Sequence, residues 1–340
     1  MARIDQPICQ QVLAALLACV TLMGAAQAGP LLDRIRAHRA AKAASANTEA
    51  DPSPHSSDPA TSAPGTHTFT MNWQGESRQW MLHVPPGFQP DRPTAVVYFF
   101  HGGGGNMQHG ADDKLYGQIS ASDRRGHLVV FPNGHGRLKS GKLATWNAGN
   151  CCGAARDDDT DDVGFVRAIH AELGKRFKID PKKVFAAGMS NGGMMAHRLA
   201  CDASDLFTAI TAVAGTDNTR RCQPGRPVSV LHIHARDDER VLFNGGAGQA
   251  SKQMTDFTSV AESTDRWVKR DGCQPMPRTV LEVPGAKCVE HEGCQGGSHV
   301  RLCVTDTGGH SWPGGNKARG GEGSTALSAT TEMEHFFFGP

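Results

Sequence analysis

The chain has no excess of charge of either sign. Its 35 Lys and Arg stand against 34 Asp and Glu, a formal net charge of +1 over 340 residues. So balanced a chain offers no broad electrostatic footprint for nucleic acid or for an anionic membrane surface. No membrane span is expected either. The apolar stretch at residues 12–23 matches a signal-peptide core and is too short to cross a bilayer. Ala26-Gln27-Ala28 then supplies an A-x-A site, which predicts export to the periplasm or the medium with cleavage after Ala28. Leu16-Leu17-Ala18-Cys19 is the rival reading, a lipoprotein processing site at Cys19. The C-x₂-C spacing of a zinc site is missing, and neither metal nor cofactor is expected. Eight cysteines remain beyond the leader, at 151, 152, 201, 222, 273, 288, 294 and 303. An even set in an exported chain reads as disulfides.

Residues 31–44 set Arg34, Arg36, His38, Arg39 and Lys42 among alanines, either as a basic helix or as a solvated tail. Residues 45–65 are Ser, Pro, Ala and Asp with almost no large apolar side chain. Such a segment buries too little surface to offset the entropy of ordering, so 29–65 reads as a tail and linker. The globular domain then runs from 66 to 340. Within it, residues 68–71 and 78–84 alternate like a hairpin about Gly75. Continuous apolar runs at 95–100, 128–131, 184–187, 209–214 and 228–234 read as strands buried on both faces. Helical spacing falls between them, notably over 163–177. No internal repeat is found. The alternation predicts one α/β domain with a mainly parallel sheet flanked by helices.

Gly188-Met189-Ser190-Asn191-Gly192 fits the Gly-x-Ser-x-Gly pattern of a nucleophile elbow. With 40 glycines in the chain the pattern alone is weak. Its context strengthens it, because an apolar run at 183–187 leads in and a helical pattern at 192–200 leads out. A serine nucleophile needs a base and a group that orients the base, in the chain order Ser, acid, His. Strand 228–234 is followed by Ala235-Arg236-Asp237-Asp238, which offers the acid. His310, between Gly308-Gly309 and Gly314-Gly315 on a late loop, is the base. His101-Gly102-Gly103-Gly104-Gly105 leaves a buried strand, and its amides suit an oxyanion hole. Gly102, Gly103 and the Asn191 amide are the candidate donors. The loop lacks the Lys-Ser/Thr ending of a Walker phosphate cradle.

Other residues carry weaker signals. Trp146 and Trp312 flank the proposed active-site loops and are read as substrate contacts, with plain packing as the alternative. The run Asp157-Asp158-Asp159-Thr160-Asp161-Asp162 lacks EF-hand spacing and precedes a helix. Asp161 or Asp162 is therefore expected as its cap rather than as a calcium ligand. His101, His232 and His234 lie at buried strand ends and read as structural.

Taken together, His101-Gly102-Gly103-Gly104, Trp146-Asn147-Ala148-Gly149-Asn150-Cys151-Cys152, the segment at 161–165, the elbow and Gly309-His310-Ser311-Trp312-Pro313-Gly314-Gly315 resemble the polyhydroxybutyrate depolymerase family. More specifically they resemble its short secreted branch, close to feruloyl and acetyl-xylan esterases. The likeness covers about residue 66 to the end. It implies an α/β-hydrolase fold and serine esterase activity. It also aligns 234–246 with the family's acid loop and puts the acid at Asp238 rather than Asp237, and it implies that Asp162 braces the elbow region. A bridge between Cys273 and Cys294 is implied by the same resemblance. Cys201 with Cys222 and Cys288 with Cys303 are then expected, and Cys151 and Cys152 stay free or bond to each other. A link from Cys201 to the Cys151-Cys152 pair is the alternative.

The favoured activity is hydrolysis of hydroxybutyrate-type polyesters or oligomers. Feruloyl or acetyl-xylan esterase action is the alternative, and cleavage of an unusual polyamide by the same groups is a third. A binding protein without catalysis fits poorly with an intact Ser190, Asp238 and His310. The only partner expected is the ester substrate.

Overall fold

The computed structural model describes residues 62–138, 140–251, 255–317 and 323–339. The leader, the alternative at Cys19, the basic segment and most of the linker lie outside the described residues. Ten strands form one sheet: β1 Gly65–Trp73, β2 Glu76–Val84, β3 Thr94–Phe100, β4 Leu128–Pro132, β5 Ile179–Met189, β6 Ala209–Val213, β7 Ser229–Ala235, β8 Arg278–Val283, β9 Ala286–His291 and β10 Val300–Thr305. Among the described residues, eight helices flank it: α1 Met107–Gly110, α2 Asp113–Tyr116, α3 Gln118–Arg125, α4 Gly153–Asp157, α5 Asp162–Gly174, α6 Asn191–Asp202, α7 Val260–Arg270 and α8 Ala329–Phe338.

The strand order is β1-β2-β4-β3-β5-β6-β7-β10-β9-β8. The six strands from β4 to β10 pair in parallel, and antiparallel strands finish both edges. Strand β3 shows why the middle is buried on both sides. Val96, Tyr98 and Phe100 enter one core beneath α5 and α6, while Ala95, Val97 and Phe99 enter the other beneath α1, α2 and α8. Side chains alternate across a strand, so a strand covered on both faces must be apolar at every position. The hairpin turns at Gln74-Gly75, with Trp73 opposite Glu76. Helix α5 begins where the acidic run ends, because the Asp161 carboxylate accepts from the Gly164 amide at 2.8 Å.

Asp162 does different work. It is fully buried; its Oδ1 accepts from Arg78 at 2.8 Å and its Oδ2 from the Asn147 amide at 2.8 Å. Burial pushes its carboxyl up in spite of the Arg78 charge. Removing the carboxylate leaves Arg78, itself 5% exposed, as a buried charge without a counterion. Asp162→Ala is therefore expected to cost about 3 kcal/mol and to lower Tm by roughly 10 °C. Thermal melting checks this, and an unchanged Tm contradicts the bracing role.

The cysteines pair as Cys151–Cys152, Cys201–Cys222, Cys273–Cys294 and Cys288–Cys303. Cys288 and Cys303 are direct register partners on β9 and β10.

Candidate active site

Four parallel strands deliver the site at their carboxyl ends, where loops of an open α/β sheet converge. Strand β5 runs into the elbow, and Ser190 sits between it and α6 at φ 58°, ψ −122°. This is a conformation that a side chain rarely adopts. Neighbours hold it there. Ser190 N donates to Val213 O at 2.7 Å, and Met194 N donates to Ser190 O at 2.9 Å. The flanking glycines are required sterically. A Cβ on Gly188 would come within 2.4 Å of the Gly192 carbonyl carbon, and one on Gly192 within 2.0 Å of Phe100 O.

Strands β7 and β10 are parallel neighbours with Ala235 opposite Thr305, so the loops that follow them lie side by side. His310 Nδ1 is 2.8 Å from Asp238 Oδ2, and His310 Nε2 is 2.8 Å from Ser190 Oγ. Burial alone would push the Asp238 carboxyl up. Hydrogen bonds and charge from His234 and His310 outweigh it and hold the carboxyl well below the usual range. Asp238 is thus ionised and can only accept. His310 Nδ1 must carry the proton, which leaves Nε2 bare to accept from the serine hydroxyl. Asp238 Oδ1 takes the Arg240 and Val241 amides at 2.8 and 3.0 Å. Asp237 points elsewhere, accepting the Gly309 amide at 2.7 Å. The two adjacent aspartates therefore divide the work: one meets the imidazole, the other ties down its loop.

The glycine loop after β3 packs on the elbow. A Cβ on Gly102 would lie 3.6 Å from Ser190 Cβ, and one on Gly103 would lie 3.5 Å from Asn191 Cβ. His101 is fully buried and its ring is lowered to about 4, chiefly by burial, so it is neutral. Its Nε2 accepts the Gly134 amide at 3.1 Å, so its Nδ1 carries the hydrogen and donates to Gly102 O at 2.8 Å. Gly105 N donates to the same carbonyl at 3.0 Å. A trans peptide points its C=O and N–H in opposite directions, so fixing Gly102 O turns the Gly103 N–H the other way. Asn191 opens α6 and its amide has no carbonyl four residues back within the helix.

Trp146 is a correction to the sequence reading. Trp146 is fully buried, with Nε1 donating to His101 O at 2.9 Å, so it is a core residue rather than a substrate contact. The Asn191 side chain clamps its backbone through bonds of 2.7 and 3.0 Å. Trp312 borders the cleft but is 2% exposed, wedged between Phe99 and Tyr116 with its N–H on Thr330 Oγ1. Packing fixes its ring, and it lines the cleft while buried to the same degree as Met194 and Val241.

Ser190 and His310 open into a cleft of about 1500 Å³. One wall next to Ser190 is apolar, built by Cys151, Cys152, Met194, Val241 and Phe257. These come from three separate loops and one helix, so no local sequence signal could assemble them. Leu143, 67% exposed at φ 56°, also borders the cleft. The only group of His, Cys, Asp or Glu close enough to hold a metal among the described residues is Cys288, Cys303 and Glu332, and its two sulfurs are bonded together.

The sequence profile of an esterase family, described as "Putative esterase", matches residues 71–313. Feruloyl esterase B of Piromyces equi is 30% identical over 243 residues, which are 69% of this chain and 42% of that protein. This chain thus spans less than half of that relative's length. Feruloyl esterase D of Neurospora crassa is 26% identical over 255 residues, covering 72% of this chain and 77% of that one. Among solved structures, an acetyl xylan esterase from Aspergillus awamori superposes with a TM-score of 0.54 at 14% identity, over 79% of this chain and 98% of its own. That likeness is one of fold. The polyhydroxybutyrate depolymerase assignment is not among these matches, and the coarser assignment is the one they support. With its family profile covering more than half of the chain, this protein belongs to the esterase family, carboxylic ester hydrolases of α/β-hydrolase fold.

Proposed function

We propose that this protein is an exported serine esterase. The observation that carries the reading is the unbroken chain Ser190 Oγ, His310, Asp238, with both links at 2.8 Å. His310 Nε2 takes the serine proton as Oγ attacks the ester carbonyl. The resulting oxyanion is held by the N–H groups of Gly103 and Asn191, with Gly102 next to them in the same loop. His310 then protonates the leaving alkoxide, and water attacks the acyl-enzyme by the same route in reverse. The four disulfides favour an oxidising compartment.

For the acyl group, the relatives favour a plant-wall phenolic acid over a hydroxyalkanoate. The apolar wall of Met194, Val241 and Phe257 suits a planar aromatic acid. A substrate panel tests this. Methyl ferulate is expected to give a kcat/KM at least about 10-fold above a hydroxybutyrate oligomer, a margin of one apolar contact. Acetylated xylan distinguishes the acetyl esterase reading. Faster turnover of the hydroxybutyrate oligomer returns the assignment to polyesters.

A further inference from the structure

Behind Asp238 stands a row of three buried imidazoles that the reaction as described does not use. His197 on α6 and His232 and His234 on β7 are 0%, 2% and 1% exposed. Their ring centroids follow one another at 5.7 and 5.3 Å, with interplanar angles of 28° and 11°. Each tautomer is set by a neighbour that has only one option. Trp267 Nε1 can only donate, and it lies 2.9 Å from His197 Nδ1, so that nitrogen is bare. The Val241 carbonyl can only accept, and it lies 2.8 Å from His234 Nε2, so that nitrogen carries hydrogen. In the neutral ring, His234 Nδ1 is then an acceptor, and His232 Nε2, 3.1 Å away, donates to it. Burial supports neutrality, pushing His197 down to about 4 and His232 well below the ordinary histidine value.

The same His234 Nε2, whose hydrogen goes first to Val241 O, also lies 3.4 Å from Asp238 Oδ2, the oxygen that receives His310 Nδ1–H. Resting on the serine-esterase reading, we infer that His234 is a positioning residue for the reaction. Its N–H, shared between Val241 O and the acid, sets a second imidazole beside the carboxylate, and His232 locks the tautomer that makes this possible. Two backbone amides hold Oδ1, so His234 completes the restraint on the carboxylate and draws on its negative charge. An acid satisfied in this way keeps its orientation and binds the His310 imidazolium less tightly than a barer carboxylate would.

The test compares His234→Phe, which keeps the ring and loses the donor, with His234→Gln, whose amide can still donate. The Phe variant is expected to lose about 10-fold in kcat with KM within about 2-fold, because the released carboxylate no longer holds the His310 ring in line with Ser190, and that misalignment outweighs its stronger hold on the imidazolium. Its rising pH limb should move up by about half a unit, because a barer carboxylate stabilises protonated His310 more strongly. The other titratable groups on the cleft wall, Asp237, Glu239, Arg240 and Lys317, are unchanged, as are Asp217, Arg266 and Arg270 beyond His197. His234→Gln is expected to retain most of kcat and the wild-type limb. If His234→Phe does not fold, His232→Phe serves in its place, with a smaller shift in the same direction. Equal losses in Phe and Gln without a pH shift reduce His234 to packing and overturn the inference. So does an unchanged kcat and pH limb in a folded Phe variant. Activity surviving in Ser190→Ala instead defeats the esterase reading itself, so the two failures are distinct.

Discussion

Ser190→Ala is expected to abolish ester hydrolysis to within background, a loss of about 10⁴-fold or more, while the protein stays folded. Folding should survive because the elbow is held by backbone bonds and by close packing at Gly188 and Gly192, none of which involves Oγ. Alanine also meets the same φ of 58° that serine already tolerates. The loss is large because Ser190 Oγ is the hydroxyl that His310 Nε2 holds, at 2.8 Å. His310→Ala should be equally damaging. The double variant should be little worse than either, since nucleophile and base act as one unit. Steady-state rates on a chromogenic short-chain ester, with circular dichroism as the folding control, measure both. Turnover within 10-fold of wild type in folded Ser190→Ala removes the mechanism.

The second large effect separates two neighbours in sequence. Asp238→Asn is expected to cost about 10³- to 10⁴-fold in kcat. An amide in that place can offer an N–H to His310 Nδ1, which then stays bare and leaves the hydrogen on Nε2. That ring cannot accept the serine proton. The charge that stabilises the imidazolium is lost as well. Asp237→Asn should be mild, within a few-fold, because an amide oxygen accepts the Gly309 N–H as readily as a carboxylate does. Parallel kinetics on the two variants decide the matter. The reverse ranking means that the acid has been assigned one residue out of place.

Much of this site is legible in the chain because its parts obey local rules. An elbow needs glycines two residues either side of its serine, and those positions are fixed by contacts shorter than a Cβ allows. The order of nucleophile, acid and base follows from a sheet whose consecutive strands end at one edge. Cys288 and Cys303 pair because their strands align in register. What the sequence hides is whatever depends on direction. Trp146 and Trp312 sit in active-site loops, yet both rings turn inward to satisfy buried acceptors. Helices α1, α2 and α4, of four or five residues, are too short to carry a 3.6-residue period. The strand at residues 228–234 announces two alternating histidines, but their tautomers depend on Val241, brought in by the loop that follows the strand, and on the contact between the two rings.

The central claim is that Ser190 becomes acylated. It is tested most directly by reacting the protein with a fluorophosphonate that mimics the tetrahedral intermediate, then measuring intact mass and mapping the labelled peptide. One phosphonyl group per chain on the peptide containing Gly188 to Gly192, with ester hydrolysis lost in proportion to labelling and no label on Ser190→Ala, is the predicted result. Full hydrolysis remaining after stoichiometric labelling, or a label carried by any other residue, contradicts it.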